Sequence, residues 1–438
     1  MAKIDKNSIG MVFICDDDEK IIGVASDGDI RSSLLDNLVL DDKIENVFNR
    51  DFVWKKTTDT RESILKLLDS KIKAIPILHA DNRLHSVVTA SQFPIRLEEH
   101  VFARSRAPVR ISFAGGGSDL THYFMGKKGA VINATISLYC HATLIRRSDP
   151  KITIDSYDLG EKIVYESLDD LLGRSDCFGL FRSLFHLTRP DFGFDLLVNS
   201  DFPSGSGLGG SSSVMVAVLG CFNEFRQDKW DDHELAEIAF QAERINMRVS
   251  GGWQDQYATV FGGVNFIEFR NESNLIFPLR LKAQTLLDMQ ENLFLFEITS
   301  GRNSGIIHDE QKASMEEAKI QDLVNKNVDH CYEMRESLLK GNLRKFGLGL
   351  NLAWELKRQF SKQISNDYLD EIYNYAIKNG ALGGKLLGAG GGGYFLFYVE
   401  AFSKNHFLGA MKDEGLSQTV FCFDHDGMQS WSIRDIGI

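Results

Sequence analysis

An eleven-residue run, Pro203-Ser204-Gly205-Ser206-Gly207-Leu208-Gly209-Gly210-Ser211-Ser212-Ser213, stands between an apolar segment and an amphipathic one, and few folds place so much glycine and serine at such a junction. Upstream, Phe194, Leu196, Leu197 and Val198 predict a strand; downstream, Val214, Ala217, Val218, Cys221, Phe222 and Phe225 recur at helical spacing. The run is therefore read as a loop that opens a helix. Glycine tolerates positive φ and admits a ligand where a Cβ would stand in the way, so such a turn can aim several N–H groups at one anion. The helix start adds unpaired donors and the positive end of its dipole, and the serines add hydroxyls for phosphate or metal. This pattern is that of a phosphate cradle and points to a nucleotide-dependent enzyme. A flexible linker is the plain alternative, but linkers do not usually join a strand to a well-formed helix. Two other phosphate motifs are weighed. Gly205, Gly207 and Gly210 satisfy G-x-G-x-x-G, yet a dinucleotide fold wants an acidic residue ending a second strand about twenty residues on. The candidates, Glu224 and Asp228, fall within or just past the helix. A Walker A reading of Gly384-Lys385 meets Leu386 where Ser or Thr is needed.

Three further segments carry chemistry. Lys385-Leu386-Leu387-Gly388-Ala389-Gly390-Gly391-Gly392-Gly393 runs into the apolar segment 394–399, a predicted buried strand. Glycines there mark close backbone approach or a tight hairpin turn without a ligand. Between residues 106 and 120, a predicted strand carries Arg110 and ends in Gly115-Gly116-Gly117-Ser118-Asp119, which places charge at the edge of a pocket. Taken singly, Arg110 reads as a paired or surface arginine and Asp119 as a turn or cap residue. The last segment is Ala242-Glu243-Arg244, late in a helix with Leu235, Ile238 and Ala239 on one face, followed by Ser250-Gly251-Gly252-Trp253-Gln254-Asp255. Phosphoryl transfer to an alcohol needs a group to orient and deprotonate the acceptor and oxygen ligands for magnesium; Asp255 and Glu243 fit those roles.

In order and spacing the four segments resemble the GHMP kinase superfamily, from Arg106 to the C-terminal end, about three quarters of the chain. Residues 107–119 resemble its opening A-P-x-R motif, 203–213 its P-x-x-x-G-L-G-S-S motif with Gly210 where the first serine is usual, and 385–393 its closing G-A-G-G-G motif. The resemblance implies an α+β fold of two α/β halves with ATP in the cleft between them, its phosphates on residues 203–212. It implies Ser211 and Glu243 as magnesium ligands, Asp255 as catalytic base and Arg110 as the arginine beside it. Gly116, Gly117, Ser118, Asp119, Gly391 and Gly392 are then expected around the acceptor. Gly116-Gly117 replaces the Glu-His pair of galactokinases, which argues against galactose. Within the superfamily, residues 107–120 and 251–258 look most like the D-glycero-D-manno-heptose 7-phosphate kinases, with fucokinase-type domains as relatives. That resemblance implies phosphorylation of the anomeric hydroxyl to give a 1,7-bisphosphate that feeds nucleotide-activated heptose for a surface polysaccharide. A phosphorylated substrate needs cations; Arg302 is the first candidate, Lys127 and Lys128 weaker ones. A non-catalytic sugar or nucleotide sensor of kinase-like fold is the reading from another class.

Residues 1–97 read as a different, small α/β module. Segments 12–15 and 21–31 suggest strand, turn, strand and helix start, a pattern that recurs at 74–78 and 84–89. It resembles a CBS pair whose first repeat lacks its leading strand and helix, with Ser26-Asp27-Gly28-Asp29 where that family often meets a nucleotide ribose. An adenine nucleotide is one expected ligand; a dimerisation or scaffold role is the other reading. The boundaries are expected at 98–105 for a linker, 106–275 for the first kinase half and 276–438 for the second. Bulk properties set limits: 438 residues suit two or three domains, and a net charge of −12 offers no general attraction to nucleic acid or anionic membranes. Cysteines at 15, 140, 177, 221, 331 and 422 lack metal or C-x-x-C spacing, which favours reduced thiols in a cytosol. The start lacks a signal-like apolar core, and the longest uncharged apolar stretch, 386–399, is too short to span a bilayer.

Overall fold

A computed structural model describes residues 2–7, 9–39, 42–68, 72–89, 92, 101–298 and 318–434. The chain divides into two compact units, Met1–Glu99 and His100–Ile438.

In the smaller unit, Met11–Cys15 pairs antiparallel with Ile21–Ser26. Ser26 then caps the helix Asp27–Leu35 in a reciprocal capping box with Asp29. A second set follows: Lys55–Lys56 lies parallel to Ala74–Leu78, which pairs antiparallel with Leu84–Thr89, and the helix Arg61–Leu68 precedes the hairpin. The two hairpin turns meet through an antiparallel bridge between Lys20 and Arg83. Ile64, Ile75, Ile77 and Val88 form a small core.

The larger unit is built on two sheets. One is organised by the long strand Gly129–Arg146, whose alternating and apolar residues pair with three partners. Val101–Ala114 runs along one edge, while Val264–Phe269 and Phe194–Ser200 share the other. Ile152–Ser156 joins Phe194–Ser200 in parallel, and Gln429–Arg434 covers the outer edge of Val101–Ala114. The second sheet is antiparallel, in the order Ala381–Leu386, Gly393–Val399, Leu293–Ile298, Gln418–Thr419. Gly210–Glu224 packs on the first sheet and Leu343–Lys357 on the strand Ala381–Leu386. The Ser213 hydroxyl donates to the Ala107 carbonyl at 2.6 Å, fixing the start of Gly210–Glu224 to its strand.

Both sheets share one continuous apolar core, including fully buried Phe113, Phe194, Trp354 and Phe395. Burial of such rings supplies the driving force that holds charged groups in a defined cleft. Strands run across two of the expected boundaries. Residues 101–105 are strand rather than linker, because each pairs across to 142–145 or 430–434. A division at 275/276 falls inside the strand Asn274–Pro278, which hydrogen-bonds to Val264–Phe269. No helix among the described residues is long and apolar enough to cross a membrane.

Candidate active site

The glycine-serine run leaves the strand Phe194–Ser200 and turns into the helix Gly210–Glu224. Gly205, Gly207 and Gly209 take φ of +75°, +75° and +83°, a region costly for residues with a Cβ. A Cβ on Gly207 would lie 3.0 Å from the Leu387 carbonyl oxygen, and one on Gly209 would lie 3.4 Å from the Asp255 carboxyl carbon. The loop is thus pressed against both the C-terminal glycine segment and a carboxylate. Gly209 is the N-cap and, having no side chain, supplies no cap hydrogen bond, so the first N–H groups of the helix have no acceptor from that position. Gly210 replaces a serine for a local reason: an added Cβ would meet the Phe202 ring at 2.6 Å.

The loop forms one wall of a cavity of about 550 Å³, a size suited to a small-molecule ligand. The opposite wall gathers distant side chains. Arg110 is buried, donating from Nε to Asp255 Oδ1 at 2.8 Å and from Nη1 to the Gly207 carbonyl at 2.8 Å. One guanidinium therefore holds both the carboxylate and the loop. Asp119 accepts from the Gly117 N–H at 3.1 Å and from the Gln254 N–H at 3.4 Å, linking its turn to the start of the helix Gln254–Phe261. Burial first, then the charge of Asp255, pushes its carboxyl pKa up, against the backbone hydrogen bonds that lower it. Gly252 makes this approach feasible, since a Cβ there would fall 1.8 Å from Asp119 Oδ2.

Glu243 sits on a wide π-helical turn, Gln241–Asn246, closing the helix Asp232–Phe240. Its buried carboxylate accepts from the Ser211 hydroxyl, from Ser212 Oγ at 2.8 Å and from Gln256 Nε2 at 2.8 Å. Ser211 and Glu243 are hard oxygen donors in contact, a pair that suits Mg²⁺, which keeps several waters and needs few carboxylates. Among the described residues no three His, Cys, Asp or Glu side chains gather to hold a metal alone. The donor set therefore fits a magnesium ion that phosphate oxygens and water also coordinate.

Most sequence-predicted residues converge on this cavity: Arg110, Gly116, Gly117, Asp119, the loop residues 203–207, Gly209, Gly210, Ser211, Glu243 and Asp255 line it. Others do not. Leu208 is buried in the core, and Ser118 spends its hydroxyl on the Gly115 and Ala130 carbonyls. Ser212 acts through Glu243. The segment 387–392 is a hairpin turn between two antiparallel strands, and it is Gly388 and Ala389 that reach the cavity. Gly391 instead donates its N–H to the Ile364 carbonyl at 2.9 Å, and Gly392 is not on the lining. Lys127 donates to Gln321 and Asn325 on the surface, and neither it nor Lys128 reaches the cavity. Arg302 lies outside the described residues.

Three cations on the lining were missed from sequence: Arg244, Lys357 and Lys385. Arg244 pairs with Glu243 at 3.3 Å and approaches Asp255 at 3.9 Å. Lys357 ends the helix Leu343–Lys357 and donates to the Leu386 carbonyl at 3.4 Å and to that of Gly388. Leu159, Leu180, Phe181, Val214, Met247 and Val249 make an apolar end beyond the loop. For the apolar residues and the lysines alike, the sequence carries only ordinary helical or strand periodicity.

Profiles of known families agree with this geometry. That of the GHMP kinases N terminal domain matches residues 175–263, and that of the GHMP kinases C terminal domain matches residues 334–408. The chain is 37% identical over 336 residues to the D-glycero-alpha-D-manno-heptose 7-phosphate kinase of Campylobacter jejuni, covering 75% of this chain and 99% of that protein. A solved structure described as a D-glycero-D-manno-heptose 1-phosphate kinase from Bacteroides thetaiotaomicron is 28% identical, with a TM-score of 0.61 over 76% of this chain and 99% of that one. Lactococcus lactis galactokinase complexed with galactose, 20% identical, shares the fold with a TM-score of 0.60 over 75% of this chain and 95% of that one.

Proposed function

The chain belongs to the GHMP kinase family, and from that premise we propose that it transfers the terminal phosphoryl group of ATP to the anomeric hydroxyl of D-glycero-D-manno-heptose 7-phosphate, forming the 1,7-bisphosphate. One observation carries the mechanism: the Arg110–Asp255 pair lies directly against the glycine loop at an uncapped helix start. In this reading the triphosphate lies along residues 203–212 and the base fills the apolar end near Leu180 and Phe181. The acceptor hydroxyl sits beside Asp255, which takes its proton as the new O–P bond forms and the bond to the ADP oxygen breaks. Arg110 holds Asp255 in orientation through their hydrogen bond and places positive charge beside the transferring group. Magnesium, held by Ser211 and Glu243, neutralises charge on the phosphates when bound. Asp119 accepts from or donates to a sugar hydroxyl.

A coupled assay of ADP release tests the substrate. Heptose 7-phosphate is expected to raise turnover by orders of magnitude over background hydrolysis, and free heptose, fucose and galactose far less. A fucose response exceeding that of heptose 7-phosphate would overturn the assignment in favour of a fucokinase. ATP and sugar binding without turnover would make the protein a sensor.

For residues 1–97 we propose a CBS-like pair, supported by two hairpins of similar order joined at Lys20 and Arg83. The capping box occupies Ser26 and Asp29, so a ribose contact there competes with a helix cap. Titration of the full chain with AMP and ATP under saturation of the kinase cavity tests the module: a second binding event supports a regulatory site. Its absence, with a self-associated mass in sedimentation, supports the dimerisation role.

A further inference from the structure

Of the cations lining the cavity, Arg110 is paired with Asp255 and Arg244 with Glu243. Among the described residues the other two have no carboxylate in ion-pair contact. Lys357 is 8% exposed, and two of its three N–H donors go to the Leu386 and Gly388 carbonyls. Lys385, 2% exposed on the strand Ala381–Leu386, makes no side-chain hydrogen bond among the described residues, yet it lines the cavity. Buried amino groups without a carboxylate in ion-pair contact are costly to charge, and an arriving anion relieves that cost. Their surroundings show the strain. Burial first, then the charge of Arg110, lowers Lys357 to about 8. Burial, then Lys357 and Arg110, lowers Lys385 further, with Cys331 and Asp119 acting the other way.

We propose that Lys357 and Lys385 form a subsite for a phosphate oxyanion on the acceptor side of the cavity, separate from the glycine-serine loop that takes the nucleotide. Two lysines with free donors, which gain charge as an anion arrives, match a dianion better than a neutral sugar hydroxyl. Within the kinase reading, on which the identity of the ligand rests, that oxyanion has two sources: the phosphate the acceptor already carries, or the phosphoryl group in transit. Lys357 also ties the Gly388 turn, which packs on Gly207, to the floor of this subsite.

Lys385→Met tests the subsite, since Met conserves volume and no hydrogen bond is lost. With ADP and magnesium saturating the nucleotide loop, calorimetry with inorganic phosphate is expected to show binding to the wild-type protein and at least tenfold weaker binding to the variant. Thermal melting checks that the variant is folded. In steady state, a KM raised tenfold or more for the phosphorylated sugar but unchanged for the free sugar identifies the acceptor's phosphate as the ligand. A kcat lowered for both identifies the transferring group. A readout without any variant is proton uptake. A dianion raises the proton affinity of lysines now depressed by burial and by Arg110, and in Lys385 also by Lys357, with Asp119, Asp255 and Cys331 acting the other way. Phosphate binding at pH 8 should therefore take up protons, seen as a buffer-dependent heat. The proposal is overturned if inorganic phosphate fails to bind the ADP-loaded protein. It is equally overturned if folded Lys385→Met and Lys357→Met/Lys385→Met bind phosphate and turn over both sugars within twofold of wild type. Lysine-dependent phosphate binding in a protein that phosphorylates no sugar would leave the subsite standing and remove the kinase reading.

Discussion

The two walls of the cavity are made differently. One wall is backbone, a single stretch of chain whose glycines take positive φ and which runs into a helix start. The other wall is side chains, with Arg110, Asp119, Asp255, Lys357 and Lys385 brought from four elements and a turn and held by burial and mutual charge. A backbone cradle degrades gradually, because each of several donors contributes part of the grip. A buried charged wall fails abruptly, because removing one member strands another.

The comparison can be broken at several points. The largest loss is expected for Asp255→Asn, whose turnover should fall by about 10³-fold if Asp255 is the general base, with ADP affinity by titration unchanged. Retained turnover would move the base elsewhere. Arg110→Met is next: loss of the charge beside the transferring group should lower kcat by ~10²–10³-fold. It should also depress the melting temperature, since stranding a buried charge costs about 3–5 kcal/mol. A variant as stable as wild type would show that the side-chain wall is not charge-coupled.

The buried lysines give a pH test. With Lys357 lowered from 10.5 to about 8, the unfolded chain binds more protons than the folded one between those values, so stability rises with pH across that window. Relative to Lys357→Met/Lys385→Met, wild type should gain on the order of 3 kcal/mol on going from pH 8 to 10.5 in chemical denaturation, from Lys357 alone. No difference in slope would mean the lysines are solvated. The smallest effect is expected on the backbone wall. Gly207→Ala, with φ of +75° and the Leu387 carbonyl 3.0 Å from the new Cβ, should cost about 1–2 kcal/mol and raise the KM for ATP with kcat little changed. A collapse of kcat instead would show that the loop sets the position of Asp255.

The same division explains what was legible before the fold was known. Residues 203–213 read correctly as a strand-to-helix loop, because glycine spacing and periodicity are local signals. Arg110 and Asp255 were legible only through a motif resemblance; nothing in their own neighbourhoods brings positions 145 residues apart into a 2.8 Å contact. Lys357 was invisible, since a lysine in the last turn of an amphipathic helix has the sequence signature of a solvated, dipole-complementing charge. Gly391 and Gly392 were assigned to the cavity by position in a glycine run. The hairpin instead turns Gly388 and Ala389 inward, a register set by the pairing of Ala381–Leu386 with Gly393–Val399. The strand Asn274–Pro278 spans the expected boundary at 275/276, because a strand belongs to whichever sheet completes its hydrogen bonds.

Sequence by itself determined the places where the backbone must bend or present its amides, since φ preferences and periodicity act over a few residues. It also set the chemical inventory of carboxylates, guanidinium and hydroxyls. Tertiary structure alone decided which of those groups lose their water, face one another and share a cavity, because desolvation and pairwise charge depend on distance in space, and the core joining both sheets sets those distances.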